Sequence, residues 1–157
     1  DEVWEYIPGT KEESVQLTDL PEPREIKQFS LDEQRKWDHF MNVRDDVLKA
    51  LEEARNEKVI GKSLEAKVTI AAKDDETKEV LTMISNIHQL LIVSEAKIVD
   101  ELVNGKEYKN VFIEVEKHSG EKCERCWVSS HTVGENETYT KLCTRCASIV
   151  EEHYSNI

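Results

Sequence analysis

The chain has 157 residues, of which 34% are charged and 38% hydrophobic, and its formal net charge is −12. Such a length allows one mid-sized domain or two to three small ones, and the acidity excludes indiscriminate nucleic-acid binding, because phosphate contacts need Lys and Arg. No apolar run approaches a membrane span. The opening Asp-Glu-Val-Trp has no initiator Met and no targeting segment, so the chain reads as a fragment of something longer or a processed product.

Residues 1–29 are polar and irregular, punctuated by Pro8-Gly9, Pro21 and Pro23. Val3, Trp4, Tyr6 and Ile7 read as the end of a helix packed on other sequence, and Ser14-Val-Gln-Leu17 as an extended stretch. Ser30-Leu-Asp-Glu33 is a capping box, in which the serine hydroxyl takes an orphan amide and the glutamate reaches back. From there Trp37, Phe40, Met41, Arg44, Val47, Leu48, Leu51 and Ala54 recur at helical spacing. The pattern predicts one amphipathic helix of about 28 residues, stopped by Gly61 in the C′ position. Its other face, Glu33, Arg35, Lys36, Asp38, Asp45, Asp46, Lys49, Glu52 and Glu53, reads as a solvated charge ladder. A helix this long needs partners that residues 1–29 cannot supply.

After Gly61 the period changes. Glu65–Ala72 alternates as a strand, Lys73–Thr77 is a charged turn, and Val80, Leu81, Met83, Ile84, Ile87, Leu90 and Leu91 form the stripe of a second helix. His88 reads as a surface histidine of that helix. Residues 92–99 and 109–116 read as strands with an Asn104-Gly105 turn between them. The expected fold class is α+β: the end of a helical bundle (residues 1–62), a small β-α-β-β unit (residues 63–116) and a zinc-knuckle domain (residues 117–157).

All four cysteines lie in that last segment, as Cys123-Glu-Arg-Cys126 and Cys143-Thr-Arg-Cys146, with sixteen residues between the pairs. Two short tethers let two knuckles face each other and close a tetrahedron of thiolates, each sulfur about 2.3 Å from one ion. Three disulfide pairings are formally open, but the chain has no secreted small-domain framework. A redox Cys-x-x-Cys normally occurs once, after a strand, not twice around a polar loop. The spacing therefore predicts one structural zinc ion held by Cys123, Cys126, Cys143 and Cys146. Four protein sulfurs leave no open coordination position for catalysis, and His118, His131 and His153 are not needed as ligands. Reduced cysteines at metal spacing argue for a cytoplasmic, reducing compartment. Residues 147–154 read as a short closing helix.

No catalytic constellation is present: no glycine-rich phosphate loop, no Ser/His/Asp arrangement, no carboxylate pair with a shared pocket. The segment reads as a binding module. Residues 117–157 carry five basic and six acidic side chains, so a local basic face is compatible with the acidic total. Unpaired RNA bases stack on aromatics and guanidinium planes. Trp127, flanked by Arg125 and close in sequence to Lys122, Lys141 and Arg145, is suited to that role. From spacing alone, however, Trp127 is better suited to covering the metal site as a small apolar lid. A different class of function, a zinc-stabilised protein-interaction module with no RNA role, also fits these residues.

The run Lys122-Cys-Glu-Arg-Cys-Trp127, with Val133-Gly-Glu135 and Leu142-Cys-Thr-Arg-Cys146, resembles the C-terminal zinc domain of bacterial isoleucyl-tRNA synthetases. Trp37 with Val43–Arg55 and Ile60–Ala66 is similar to the last helix of that family's anticodon-binding bundle, and Glu2–Pro8 with Glu13-Ser-Val15 to the region before it. The resemblance implies a parent enzyme that activates isoleucine with ATP and charges tRNA(Ile). The family's His-x-Gly-His and Lys-Met-Ser-Lys-Ser signatures are absent here, so ATP belongs to a catalytic domain elsewhere. It further implies that the four cysteines hold zinc, that Trp127 and Arg125, then Arg145, Lys122 and Lys141, contact tRNA, and that the partners are tRNA(Ile) and the upstream parts of a monomeric, non-membrane polypeptide. The acidic first half departs from what a phosphate-facing surface needs.

Overall fold

The computed structural model describes residues 2–20, 22 and 28–154. The turn signals at Pro21 and Pro23 lie outside the described residues. Near the start, helix α1 (Glu2–Glu5) is closed off by Lys11, whose ammonium donates to the carbonyl oxygens of Trp4, Glu5 and Ile7, while Trp4 Nε1 donates to Glu12 O at 2.9 Å. Ser14–Leu17 is not extended: Val15–Leu17 forms a 3-10 turn, because the Ser14 side chain takes the Gln16 amide. A serine hydroxyl competing for a nearby amide favours such turns over strands.

Helix α2 (Leu31–Asn56) begins at the expected capping box, with Ser30 N donating to Glu33 Oε2 at 2.8 Å and Glu33 N to Ser30 Oγ at 3.2 Å. It ends earlier than Gly61. Val59 N donates to Ala54 O and Lys58 N to Arg55 O, and Lys58 stands at φ 62. This is a Schellman motif with lysine where glycine is usual. Gly61 instead donates its amide to the Glu65 carboxylate.

Sheet order is β2 (Glu95–Val99), β1 (Ala66–Ala72), β4 (Val111–Lys117), β3 (Lys106–Glu107), with β1 parallel to β2 and antiparallel to β4. Parallel neighbours need a crossover, and α3 (Asp75–Thr82) with α4 (Ile87–Leu91) provides it. The expected single helix is broken in two. Thr82 Oγ1 turns back onto the Lys78 and Glu79 carbonyls, and Ser85-Asn86, poor helix formers, follow. The strand expected from residue 92 starts at Glu95, because Ile92 ends α4 in the left-handed region. The two-residue β3, ahead of β4, carries too short an alternation to be read from sequence.

Val68 and Ile70 of β1 face Val115 and Ile113 of β4 across the register. Together with Phe40, Val43, Val47 and Leu51 of α2 and Val80, Leu81 and Leu91 of the crossover they form one buried cluster. Each such side chain contributes roughly 1.5–3 kcal/mol by leaving water. The partners that α2 requires are thus found within the chain. The buried stripe is rotated from the expected one: Val43 and Ala50 are inside, while Trp37, Met41 and Leu48 are exposed at its edge. The charge ladder is also not wholly solvated. Asp46 accepts from Asn110 N and Nδ2 at 2.8 and 2.9 Å, Glu53 accepts from Tyr108 OH at 2.6 Å and pairs with Lys106 at 2.8 Å, and Arg44 Nε donates to Leu90 O. Hydrogen bonds from Lys106 and Tyr108 hold the Glu53 carboxyl below its ordinary pKa, and burial together with Glu53 pushes the Tyr108 phenol up.

At Lys58 the backbone conformation costs a residue with a Cβ on the order of 1 kcal/mol. Lys58→Gly is expected to raise unfolding stability by about 1 kcal/mol, read from a urea denaturation midpoint at unchanged slope; a destabilised variant would contradict the cap assignment.

Candidate metal centre and nucleic-acid interface

The last segment has little apolar material of its own. Its secondary structure is a two-stranded ribbon, β5 (Glu121–Lys122) with β6 (Ser129–Ser130), and helix α5 (Thr144–Tyr154), which starts three residues before the expected Ala147. Gly120 allows the ribbon to form: a Cβ there would meet the Ser130 backbone at 2.4 Å. The first knuckle turns between β5 and β6, where Cys123 N donates to Val128 O and Trp127 N to Cys123 O at 2.9 Å. The second sits at the start of α5, whose first residue is Thr144. Glu124 N donates to Lys141 O and ties one knuckle to the other.

This folding brings all four sulfurs within 4.8 Å of one another. Tetrahedral coordination at 2.3 Å requires sulfurs about 3.8 Å apart, and Cys126 Sγ and Cys143 Sγ are separated by 3.9 Å. The donor set therefore fits zinc: four soft thiolates in a closed shell. Burial acts against ionisation at Cys123 but is outweighed by the Cys126, Cys143 and Arg125 amides, which bring its thiol to about 6, whereas burial and neighbouring sulfurs push Cys143 up to about 12. A divalent cation supplies the charge that lets all four sulfurs ionise together. Val133 and Leu142 pack on the cysteines and form their apolar cover. Neither was read from the sequence as a cover.

Trp127 is not that cover. Its ring is 59% exposed, and its backbone stands at φ 65, uncommon for a bulky residue. Lys122 Nζ lies 5.1 Å from the ring centroid, at cation–π distance. The arginines, by contrast, lean toward sulfur. Arg125 Nη1 donates to Cys146 Sγ at 3.7 Å. Arg145 loses basicity to burial but regains more from the Cys126 and Cys146 thiolates, so its pKa stands above the ordinary arginine value. Lys141 pairs with Glu124 at 3.0 Å on the surface. Trp127 and Lys122 are thus brought together on the first knuckle, and Arg125 and Arg145 both reach the cysteine sulfurs.

A joint that sequence reasoning missed fixes the knuckles to the sheet. His118 is buried, its Nδ1 accepts the Gly120 amide at 2.9 Å, and its Nε2 faces Glu95 at 3.1 Å. His118 N donates to Glu65 O at 2.7 Å, and Ser129 N donates to Ser94 Oγ, whose hydroxyl in turn donates to Leu64 O. The only local signal was a histidine two residues before a glycine at the end of a strand pattern.

A zinc-finger family, described as "Zinc finger found in FPG and IleRS", matches residues 120–149, the two knuckles and the loop between them. The chain is 60% identical over 158 residues, 99% of its length, to isoleucine–tRNA ligase 1 of Oceanobacillus iheyensis. It is 51% identical over 98% of its length to the isoleucine–tRNA ligase of Halalkalibacterium halodurans, and 52% over 96% to that of Staphylococcus aureus. Along nearly its whole length the chain is similar to one part of isoleucine–tRNA ligases. It spans 17% of the first two relatives and 16% of the third. The zinc-finger match and the four-cysteine cluster together support one structural zinc ion in this segment of the chain. Among the described residues no helix is long and apolar enough to cross a membrane.

Because the cysteines are most of this segment's buried cluster, metal and fold are coupled. Cys143→Ser is expected to abolish tight zinc binding and the near-ultraviolet dichroism of Trp127, with the far-ultraviolet helical signal of α2 largely retained. Retention of the Trp127 signal in a zinc-free variant would contradict the coupling.

Proposed function

We propose that the chain is the tRNA-gripping part of an isoleucine–tRNA ligase, holding the anticodon stem and loop of tRNA(Ile). Activation of isoleucine with ATP and transfer to tRNA take place elsewhere in such a polypeptide, in the cytoplasm, on a monomeric enzyme. Cys123, Cys126, Cys143 and Cys146 are the zinc ligands in this reading, and residues 117–157 act as the metal-folded unit beside residues 1–62 and 63–116. The observation that carries it is the exposed Trp127 ring on a rigid knuckle with the Lys122 ammonium beside it. A large apolar ring left in water at a strained backbone position serves no core. Stacking on an unpaired base, with a cation nearby for phosphate, is what that arrangement supplies.

The zinc takes no chemical part. It fixes the angle at which Trp127 leaves the backbone, while Arg125 and Arg145 balance the thiolate charge and turn their remaining N–H donors outward, since a guanidinium has five. Lys141, bound to Glu124, adds charge at the rim. Binding energy gathered here orients the distant acceptor end and discriminates among tRNAs. The exposed Trp37, Met41 and Leu48 along α2 support a second contact, with the rest of the ligase polypeptide.

Loss of one base stack is worth about 1–3 kcal/mol. Trp127→Ala in the zinc-loaded protein is therefore expected to weaken affinity for a tRNA(Ile) transcript by that amount, measured by titration at fixed salt. Unchanged affinity in a folded, zinc-loaded variant would overturn the role of Trp127.

A further inference from the structure

A cleft of about 690 Å³ opens where the corner between α4 and β2 meets the second knuckle. It lies within the size range of small-ligand sites. Trp127 does not line it, although its neighbours Cys126 and Val128 do. The cleft is therefore a second feature, distinct from the exposed ring.

Two observations indicate what it holds. Ile92, on its wall, ends α4 at φ 57 and ψ 48 with its side chain 51% exposed. A β-branched residue in the left-handed region costs roughly 1–2 kcal/mol, and glycine is the usual occupant of that position. The conformation itself is the cap of α4, with Val93 N donating to His88 O; what the cap does not call for is an isoleucine in place of glycine, and Ile92 lines the cleft. The second observation is charge. In a chain of net charge −12, the lining contains Arg145 and three of the five histidines, and its one acid, Glu95, is already engaged by His118. An apolar wall of Ile92 and Val128, amides from Asn86 and Gln89, and a guanidinium at Arg145 complement a flat base carrying a phosphate.

The geometry points to this cleft as a pocket for one unpaired nucleotide, its base against Ile92 and Val128 and its phosphate toward Arg145. The assignment rests on the tRNA reading above but is separable from it. It implies that the RNA strand engages both the Trp127 ring and the cleft behind it.

The test uses the zinc-loaded chain with labelled isoleucine and valine methyls, titrated first with millimolar nucleoside 5′-monophosphates and then with the tRNA(Ile) transcript. The Ile92 and Val128 methyl resonances are expected to move with at least one monophosphate, while those of the buried Val43 and Val47 stay. Ile92→Gly is expected to keep or raise the thermal midpoint, abolish the monophosphate response and weaken tRNA binding about tenfold, the scale of one lost base contact. Gln89→Ala, which leaves the wall intact, should weaken both responses to a smaller degree. If no monophosphate moves the cleft methyls, or if both variants bind tRNA as tightly as the parent, the pocket assignment falls while the role of Trp127 stands. If the monophosphates bind the cleft but the unaltered chain ignores tRNA, the pocket stands and the tRNA reading falls.

Discussion

Four sulfurs held within 4.8 Å of one another are the constraint on which the rest of the last forty residues depends. A thiolate cluster of that density repels itself unless a cation sits at its centre. Beside the sulfurs, its described residues supply a ribbon of two-residue strands, one helix, scattered polar contacts and an apolar cluster of the cysteines with Val133 and Leu142. In a small unit of this kind the metal replaces the hydrophobic core. Arg125 and Arg145 contribute by bringing positive charge to sulfur from outside the shell.

What the metal fixes in the knuckles, the joint transmits to the α/β body. His118 between Glu95 and Gly120, and Ser94 between Leu64 and Ser129, couple the knuckles to β2 and to the entry of β1. These contacts are polar and directional, so they specify orientation more than they stabilise. Among the described residues three non-glycine positions stand at positive φ, Lys58, Ile92 and Trp127. Lys58 is explained by its helix cap. Ile92 closes α4 by the same pattern, its amide donating to Gln89 O and that of Val93 to His88 O, so of the three Trp127 alone stands outside a helix cap, with its apolar side chain exposed. Strain that persists without serving packing is a marker of surfaces used for binding.

How much of this was legible in the sequence depended on whether the signal was local. The capping box at Ser30, the strand alternation at Glu65–Ala72 and the cysteine spacing are local, and the structure carries all three. The single helix expected after residue 77 failed because Ser85 and Asn86 outweighed an apolar stripe that continued past them. Gly61 was read as a helix stop because lysine at a left-handed cap has no sequence signature. Spacing favoured Trp127 as lid over platform, since a bulky apolar ring directly after a metal-binding cysteine covers it most simply; its exposure, with Val133 and Leu142 as the actual cover, overturns that reading. The His118 and Ser94 contacts join residues far apart in the chain, and no window of sequence shows them.

The central claim is that zinc serves RNA recognition by shape alone, holding a surface in place without touching the ligand. The most direct test is tRNA(Ile) affinity before and after chelation of zinc, with α2 helicity followed in the same samples and zinc then restored. The account predicts that metal removal abolishes binding, that the helical signal stays largely intact, and that added zinc restores affinity. Undiminished tRNA binding by the metal-free chain would contradict it.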